Sequence, residues 1–202
     1  MQILLASNNS HKADEIRAIL AELLPVETIE LVIASELGNA KINPDETGTT
    51  YMDNAEIKAQ AFYDVFKMPT IADDSGLEID ALDGAPGVIS ARFAGENGND
   101  KLNRSKVIEL LKTISPENKA AKFRAVFCYI DETVKFFVEG TVPGKMIERE
   151  IGEGGFGYDP LFVPNGYDIT FAEMSEAEKN SISHRANAVR ALVYELQKRE
   201  II

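Results

Sequence analysis

Short apolar runs of strand length alternate with longer stretches of helical period along this chain. Residues 2–6 form an apolar run, followed by the polar turn Ser7-Asn8-Asn9-Ser10. Over 12–24, Ile16, Ile19, Leu20, Leu23 and Leu24 share one face of a helix that Pro25 stops. A second strand falls at 31–34, a polar loop at 38–50, and a second helix at 51–66 through Ala55, Ala59, Phe62 and Phe66. Thr70-Ile71-Ala72 reads as a third short strand that ends in a turn at Asp73-Asp74-Ser75-Gly76. Leu77, Ile79 and Ala81 then alternate with Glu78, Asp80 and Leu82 up to the turn signal Asp83-Gly84.

Residues 84–99 are rich in glycine and read as a long loop. The 3.6-residue period returns over 101–114, with Val107, Leu110, Leu111 and Ile114 inward. Strands at 122–130 and 134–141 are joined by a tight turn at Asp131-Glu132, and Pro143-Gly144 turns the chain into 146–151. A glycine-rich stretch covers 152–160. Ser175-Glu176-Ala177-Glu178 is a capping box, opening a helical pattern that runs to Lys198 with a break near 181–183. Strands and helices mix throughout, without a linker, a repeat or a low-complexity segment. The pattern predicts one α/β unit over residues 1–202 around a mixed sheet, folded into two lobes. No Gly-x-Gly-x-x-Gly follows the first strand, so it is not a dinucleotide-binding fold.

Composition narrows the picture. Of 202 residues, 45% are hydrophobic and 27% charged, with ten Phe and six Tyr, which suits a packed core rather than disorder. No apolar run approaches the roughly 20 residues that span a bilayer, and residues 1–7 lack a basic n-region. The single cysteine, Cys128, lies in an apolar alternating stretch and reads as a small buried side chain in a reducing compartment. A cytoplasmic protein without membrane partners is expected. The formal charge of −12 argues against binding a nucleic-acid backbone. It leaves a nucleotide open, because local cations, backbone N–H groups and a metal ion suffice to hold a triphosphate.

Four segments carry candidate chemistry. Ser7-Asn8-Asn9-Ser10-His11-Lys12 leads from a strand into a helix whose free N–H groups suit phosphate oxygens, although plain helix caps look alike. The pair Asp73-Asp74 repels itself and points to opposite faces if extended, so one carboxylate can bind a metal while the other braces the segment. Ser75 is placed to touch a phosphate and Gly76 to take an unusual backbone angle. Taken alone, an acidic turn reads the same way. Asp45-Glu46-Thr47-Gly48 is the source of a second carboxylate. Glycines around Phe156 in Gly154-Gly155-Phe156-Gly157-Tyr158-Asp159-Pro160 let the backbone approach a flat ligand, and the ring offers a stacking surface; a hairpin with a core aromatic is the bland alternative. Lys179-Asn180-Ser181-Ile182-Ser183-His184-Arg185 gathers cations in a chain short of them, as a solvated helix face also would.

Together and in this order these segments resemble the Ham1-like inosine triphosphate pyrophosphatase family. The matching stretches are Ala6-Ser7-Asn8-Asn9 through Lys12, Glu46-Thr47-Gly48 with Asn54-Ala55 and Lys58-Ala59, and Ile71 through Leu77. Gly84-Ala85-Pro86-Gly87 with Ser90-Ala91-Arg92, Gly154 through Pro160, and Glu178-Lys179 with Ser183-His184-Arg185 complete them. The first loop departs from the Thr-Gly-Asn of many members by reading Ser-Asn-Asn. The resemblance implies an elongated mixed sheet flanked by helices, two lobes with a central nucleotide cleft, and a homodimer. It also implies magnesium-dependent hydrolysis of ITP, dITP and XTP to the monophosphate and pyrophosphate, which cleanses the nucleotide pool.

The resemblance further implies Asp74 as the general base; Asp74 and Glu46 are expected to bind the metal, and Asp73, a weaker candidate for either role, is expected to brace the segment. Ser7, Asn8, Asn9, Ser10, His11, Lys12, Lys58 and Ser75 are expected at the phosphates. Phe156 is expected to stack on the base, with Gly157, Tyr158 and Asp159 beside it and Lys179, His184 and Arg185 along its edge. A donor from His184 or Arg185 would pair with the 6-carbonyl of hypoxanthine or xanthine and oppose the 6-amino group of adenine. Two rival readings are a Maf-like pyrophosphatase of other nucleotides and a non-catalytic nucleotide sensor. Phe-Gly-Tyr-Asp and Ser-His-Arg speak against the first, and the retained Asp74 and Glu46 against the second.

Overall fold

A computed structural model describes residues 1–7, 10–25, 27–38 and 42–202, with the backbone alone described for Ser10 and His11. Among these residues the strands are β1 (Gln2–Leu5), β2 (Glu30–Ile33), β3 (Thr70–Ile79), β4 (Ala120–Ile130), β5 (Lys135–Met146) and β6 (Phe162–Pro164). They form one mixed sheet in the order β2-β1-β3-β4-β5-β6. β1 runs parallel to both β2 and β3, and β5 antiparallel to β6. The helices are α1 (Ser10–Leu23), α2 (Tyr51–Phe66), α3 (Asp100–Leu111), α4 (Glu176–Ile182) and α5 (His184–Lys198). None of them is long and apolar enough to cross a membrane. The chain divides into two compact units. The first holds Met1–Asp74, Ala125–Gly140 and Arg185–Ile202, and the second Ser75–Arg124 and Thr141–His184.

In the first unit β1, β3 and β4 are buried on both faces, which is why β1 reads as a continuous apolar run. On one face, Ile3, Leu5 and Ile71 pack with Ile16, Ile19 and Leu20 of α1 and with Val189, Leu192 and Leu196 of α5. On the other, Leu4, Ala6, Ala72 and Cys128 pack with Ala55, Ala59 and Phe62 of α2. Burial, reinforced by Glu56, pushes the Cys128 thiol up to about 12, so it stays protonated as a small core side chain. Thr50 caps α2 in a reciprocal box. Its hydroxyl accepts the Asp53 N–H, and the Asp53 carboxylate accepts the Thr50 N–H.

In the second unit, Leu77, Ile79 and Phe123 pack with Val107 and Leu111 of α3 and with Phe162 and Phe171. Phe123 meets Phe162 edge-on, with ring centroids 4.7 Å apart. The buried Asn103 side chain accepts the Ala94 N–H and donates to the Ala91 carbonyl, which ties the glycine-rich loop to α3. Within that loop Gly87–Arg92 is ordered as 3-10 turns with a kink at Ile89.

The expected break near 181–183 is present, since Ser183 is extended between α4 and α5. Two expected turns are absent. β3 does not end at Asp73 but continues through Asp74, Ser75 and Gly76 to Ile79. The carboxylates stay in the strand because cations and an amide meet them on both faces, which outweighs low strand propensity. Gly76 accordingly lies in extended backbone rather than in a turn.

The second is Pro143-Gly144, which lies inside β5. The Pro143 carbonyl accepts the Asn165 N–H at 3.0 Å, and Gly144 pairs with Pro164. A Cβ on Gly144 would collide with the Val163 carbonyl and the Phe162 ring, so glycine is what lets β6 approach. Gly144→Ala is expected to destabilise the protein by about 1–3 kcal/mol through overpacking. A chemical-denaturation midpoint equal to wild type would contradict this account of β5.

Candidate active site

Alternation along β3 separates the two adjacent carboxylates. Asp73 follows the parity of Ile71, toward α1 and α5, and Asp74 that of Ala72, toward α2. On the α2 side, Asn54 Nδ2 donates to Asp74 Oδ2 at 3.2 Å. Lys58 Nζ lies 3.2 Å from Asp74 Oδ1 and 3.2 Å from Glu46 Oε1. Asn54 and Lys58 are four residues apart and share one face of the helix. The Glu46 segment is led there by Gly48, whose N–H donates to Asn54 Oδ1 at 2.8 Å. A Cβ at Gly48 would come within 2.6 Å of that oxygen.

Asp74 is buried, at 8% exposure. Burial raises its carboxyl above the ordinary value, against the pull of Lys58, and Glu46 adds to the rise. Burial draws Lys58 down, but Asp74, Asp73 and Glu46 more than offset it and leave its ammonium above the usual value. Two carboxylates therefore share one cation in a partly desolvated place, which is the donor set of a hard divalent ion. Among the described residues no group of three or more His, Cys, Asp or Glu stands ready to cage a metal. An ion held by Asp74 and Glu46 would draw its remaining oxygen ligands from water and substrate, as magnesium commonly does.

The opposite face is a buried charge network. Lys12 Nζ lies 2.8 Å from Asp73 Oδ1, and Arg185 Nη2 lies 3.6 Å from Asp73 Oδ2. Arg185 Nη1 donates to Glu15 Oε2 at 2.5 Å. Lys12 and Glu15 are three residues apart on α1, so two cations face two carboxylates. Burial alone would raise Asp73; Lys12, Arg185 and Lys58 instead hold it well below the usual carboxylate range. Burial lowers Lys12, against the attraction of Asp73.

The second unit carries the aromatic loop. Phe156 is 50% exposed, and the Lys179 ammonium lies 4.6 Å from its ring centroid. Asp159 Oδ2 accepts both the Phe156 N–H, at 2.8 Å, and Lys179 Nζ, at 2.7 Å. Tyr158 is buried and donates its hydroxyl to the Ser90 carbonyl at 2.8 Å. The His184 ring stacks on Phe123 at 4.9 Å between centroids.

The structure thus brings Glu46, Lys58 and Asp74 together, Lys12 with Asp73 and Arg185, and Phe156, Asp159 and Lys179. Arg185, expected along the base edge with Lys179, has carboxylates of the first unit as partners and is 1% exposed. Ser7 follows β1 and donates its N–H to the Leu5 carbonyl. Asn8 and Asn9 lie outside the described residues, as do the side chains of Ser10 and His11, which open α1. Ser75 sits in β3 beside Asp74. Sequence reasoning did not assign Asn54 or Glu15. For Glu15 a signal existed in its place one helical turn from Lys12.

A model of the Ham1 family matches residues 3–195. The chain is 44% identical over 191 residues to the dITP/XTP pyrophosphatase of Porphyromonas gingivalis, covering 95% of each chain. It is 40% identical over 209 residues to that of Aquifex aeolicus, covering 99% of this chain and 98% of the relative. Among solved structures, the Staphylococcus aureus Ham1 protein superposes with a TM-score of 0.85 at 36% identity, over 98% of this chain and 100% of that one. A HAM1 protein from Coxiella burnetii gives the same TM-score and identity, over 98% and 99%.

Proposed function

The chain belongs to the Ham1 family, and from that premise we propose that it hydrolyses dITP, ITP and XTP to the monophosphate and pyrophosphate. The observation that carries the reading is the pair of carboxylates, Glu46 and Asp74, gathered on the single ammonium of Lys58. Relatives named dITP/XTP pyrophosphatase align over nearly the whole chain, which supports the same activity.

In this mechanism water adds to the α-phosphorus, the bond from that phosphorus to the bridging oxygen breaks, and pyrophosphate leaves. Asp74 accepts the proton of the attacking water, and Asn54 and Lys58 fix the orientation of its carboxylate. Asp74 and Glu46 would hold magnesium, which supplies charge neutralisation on the phosphates and the leaving group. Lys12 contributes positive charge beside the phosphates, its ammonium oriented by Asp73. Ser7, Asn8, Asn9, Ser10, His11 and Ser75 complete the phosphate contacts. In the second unit the exposed Phe156 ring stacks on the base, and Lys179, locked by Asp159, donates to its edge. Arg185 is committed to Asp73 and Glu15, so the donor for the 6-carbonyl is left to His184. The enzyme is assigned to the cytoplasm and to a homodimer, a state that sedimentation velocity checks.

One assay tests the reaction. Incubation with ITP, XTP, dTTP or ATP and magnesium, reading pyrophosphate and orthophosphate separately, is expected to give pyrophosphate from ITP and XTP alone. Chelation with EDTA is expected to abolish it. Release of orthophosphate, or preference for dTTP, would overturn the reading.

A further inference from the structure

The loop that presents Phe156 is gripped from the side by α3, a helix with no part in the chemistry above. The Gly157 N–H donates to Asp100 Oδ2 at 2.9 Å, and the Gly157 carbonyl accepts from Arg104 Nη1, also at 2.9 Å. Asp100 and Arg104 are four residues apart, so one face of the first turns of α3 supplies both an acceptor and a donor. Arg104 is oriented in turn by Glu150, whose Oε2 lies 3.0 Å from its Nε. Gly157 takes a φ of +60°, and open space lies where its Cβ would be. The Gly157 N–H and carbonyl belong to the two peptide units on either side of its Cα, and each is held by one charge-assisted hydrogen bond from α3.

We propose that Asp100 and Arg104 are positioning residues for base recognition, clamping the two peptides that flank Gly157 so that the Phe156 ring is held ready before the nucleotide arrives. The neighbouring residues have their own anchors, including the Asp159 N–H, which donates to the Phe156 carbonyl at 3.2 Å. Asp159 fixes the Phe156 N–H, and Ser90 fixes Tyr158. Without the grip of α3, a half-exposed aromatic ring next to a glycine of positive φ would sample more orientations, and ordering it on binding would weaken affinity. Holding the two peptides beforehand removes that loss. The inference rests on the proposed stacking role of Phe156.

The test is a double-mutant cycle of Arg104→Met with Phe156→Ala, reading KM and kcat for ITP together with Kd for IMP and for pyrophosphate. Arg104→Met is expected to raise KM for ITP and Kd for IMP about tenfold, with kcat and Kd for pyrophosphate near wild type. In the Phe156→Ala background the same substitution is expected to change KM less than twofold, because the ring it positions is gone. Asp100→Ala should reproduce the effect, and Asp100→Asn, which keeps an acceptor for the Gly157 N–H, should restore most of the affinity. Equal effects of Arg104→Met in both backgrounds, or a loss confined to kcat or thermal stability, would overturn the clamp while leaving stacking intact. If Phe156→Ala alone leaves KM for ITP unchanged, the stacking reading itself falls.

Discussion

Asp74→Asn is expected to lower kcat for ITP by on the order of 10³-fold while leaving the melting temperature equal to wild type or higher. Loss of a positioned general base typically removes a factor of about 10² to 10⁴, and the same change takes one of the two carboxylates from Lys58. The fold should survive because an isosteric amide keeps an oxygen for Asn54 Nδ2, and Lys58 keeps Glu46. The rise in the Asp74 pKa supplies the sign of the stability change. A group whose value is raised on folding favours the folded state below its unfolded pKa, and that contribution is lost as pH rises through the folded pKa. Near pH 7.5 the ionised carboxylate is therefore a burden on the fold, and a neutral amide is not. Scanning calorimetry without divalent ions, beside steady-state pyrophosphate release, reads both quantities. Turnover within tenfold of wild type would remove Asp74 from the chemistry. A clear fall in melting temperature would recast it as a structural residue.

That contrast explains what the sequence made legible. The helices were readable wherever apolar residues kept helical spacing, as at Ile16, Ile19 and Leu20 or at Ala55, Ala59 and Phe62, because burial on one face imposes the spacing. β3 was not readable as one strand across Asp73 to Gly76, although the alternation of Leu77 and Ile79 beyond it was. Two Asp, a Ser and a Gly carry turn chemistry locally, and the groups that neutralise the carboxylates lie far away in sequence, at Lys12, Lys58 and Arg185. Period-two alternation still assigned opposite faces to Asp73 and Asp74, since that follows from any extended backbone. β5 misled for a related reason: Pro143-Gly144 reads as a turn until the close approach of Phe162 and Val163 is known. At the site, Lys58 and Glu46 could be named, but their meeting on one ammonium could not. Asp100 and Arg104 were invisible because their partners are the backbone N–H and carbonyl of Gly157, 57 and 53 residues away. On α3 they look like ordinary solvated charges.

Asp73→Asn is expected to do the reverse of its neighbour, costing about 3–5 kcal/mol of folding stability, the usual penalty for removing one partner of a buried ion pair. For a chain of this length that lowers the melting temperature by roughly 6–20 °C. The carboxylate is 2% exposed and faces Lys12 at 2.8 Å and Arg185 at 3.6 Å. Arg185 retains Glu15, whereas Lys12 would keep only a neutral oxygen at that position. The pH dependence separates a lost charge from a lost shape. Lys12, Arg185 and Lys58 hold the Asp73 carboxyl below the usual range against the effect of burial. A group depressed on folding stabilises the fold above its unfolded pKa of about 3.9, and that contribution disappears as pH falls through the folded value. The stability gap between wild type and Asp73→Asn should therefore stay constant from pH 7 down to about pH 4 and narrow only below it. Urea unfolding across that range measures the gap. A gap that closes already between pH 7 and pH 5 would mean the carboxylate is not held low by its cations. Absence of any gap at pH 7 would show that the Lys12–Asp73–Arg185 network contributes nothing to folding.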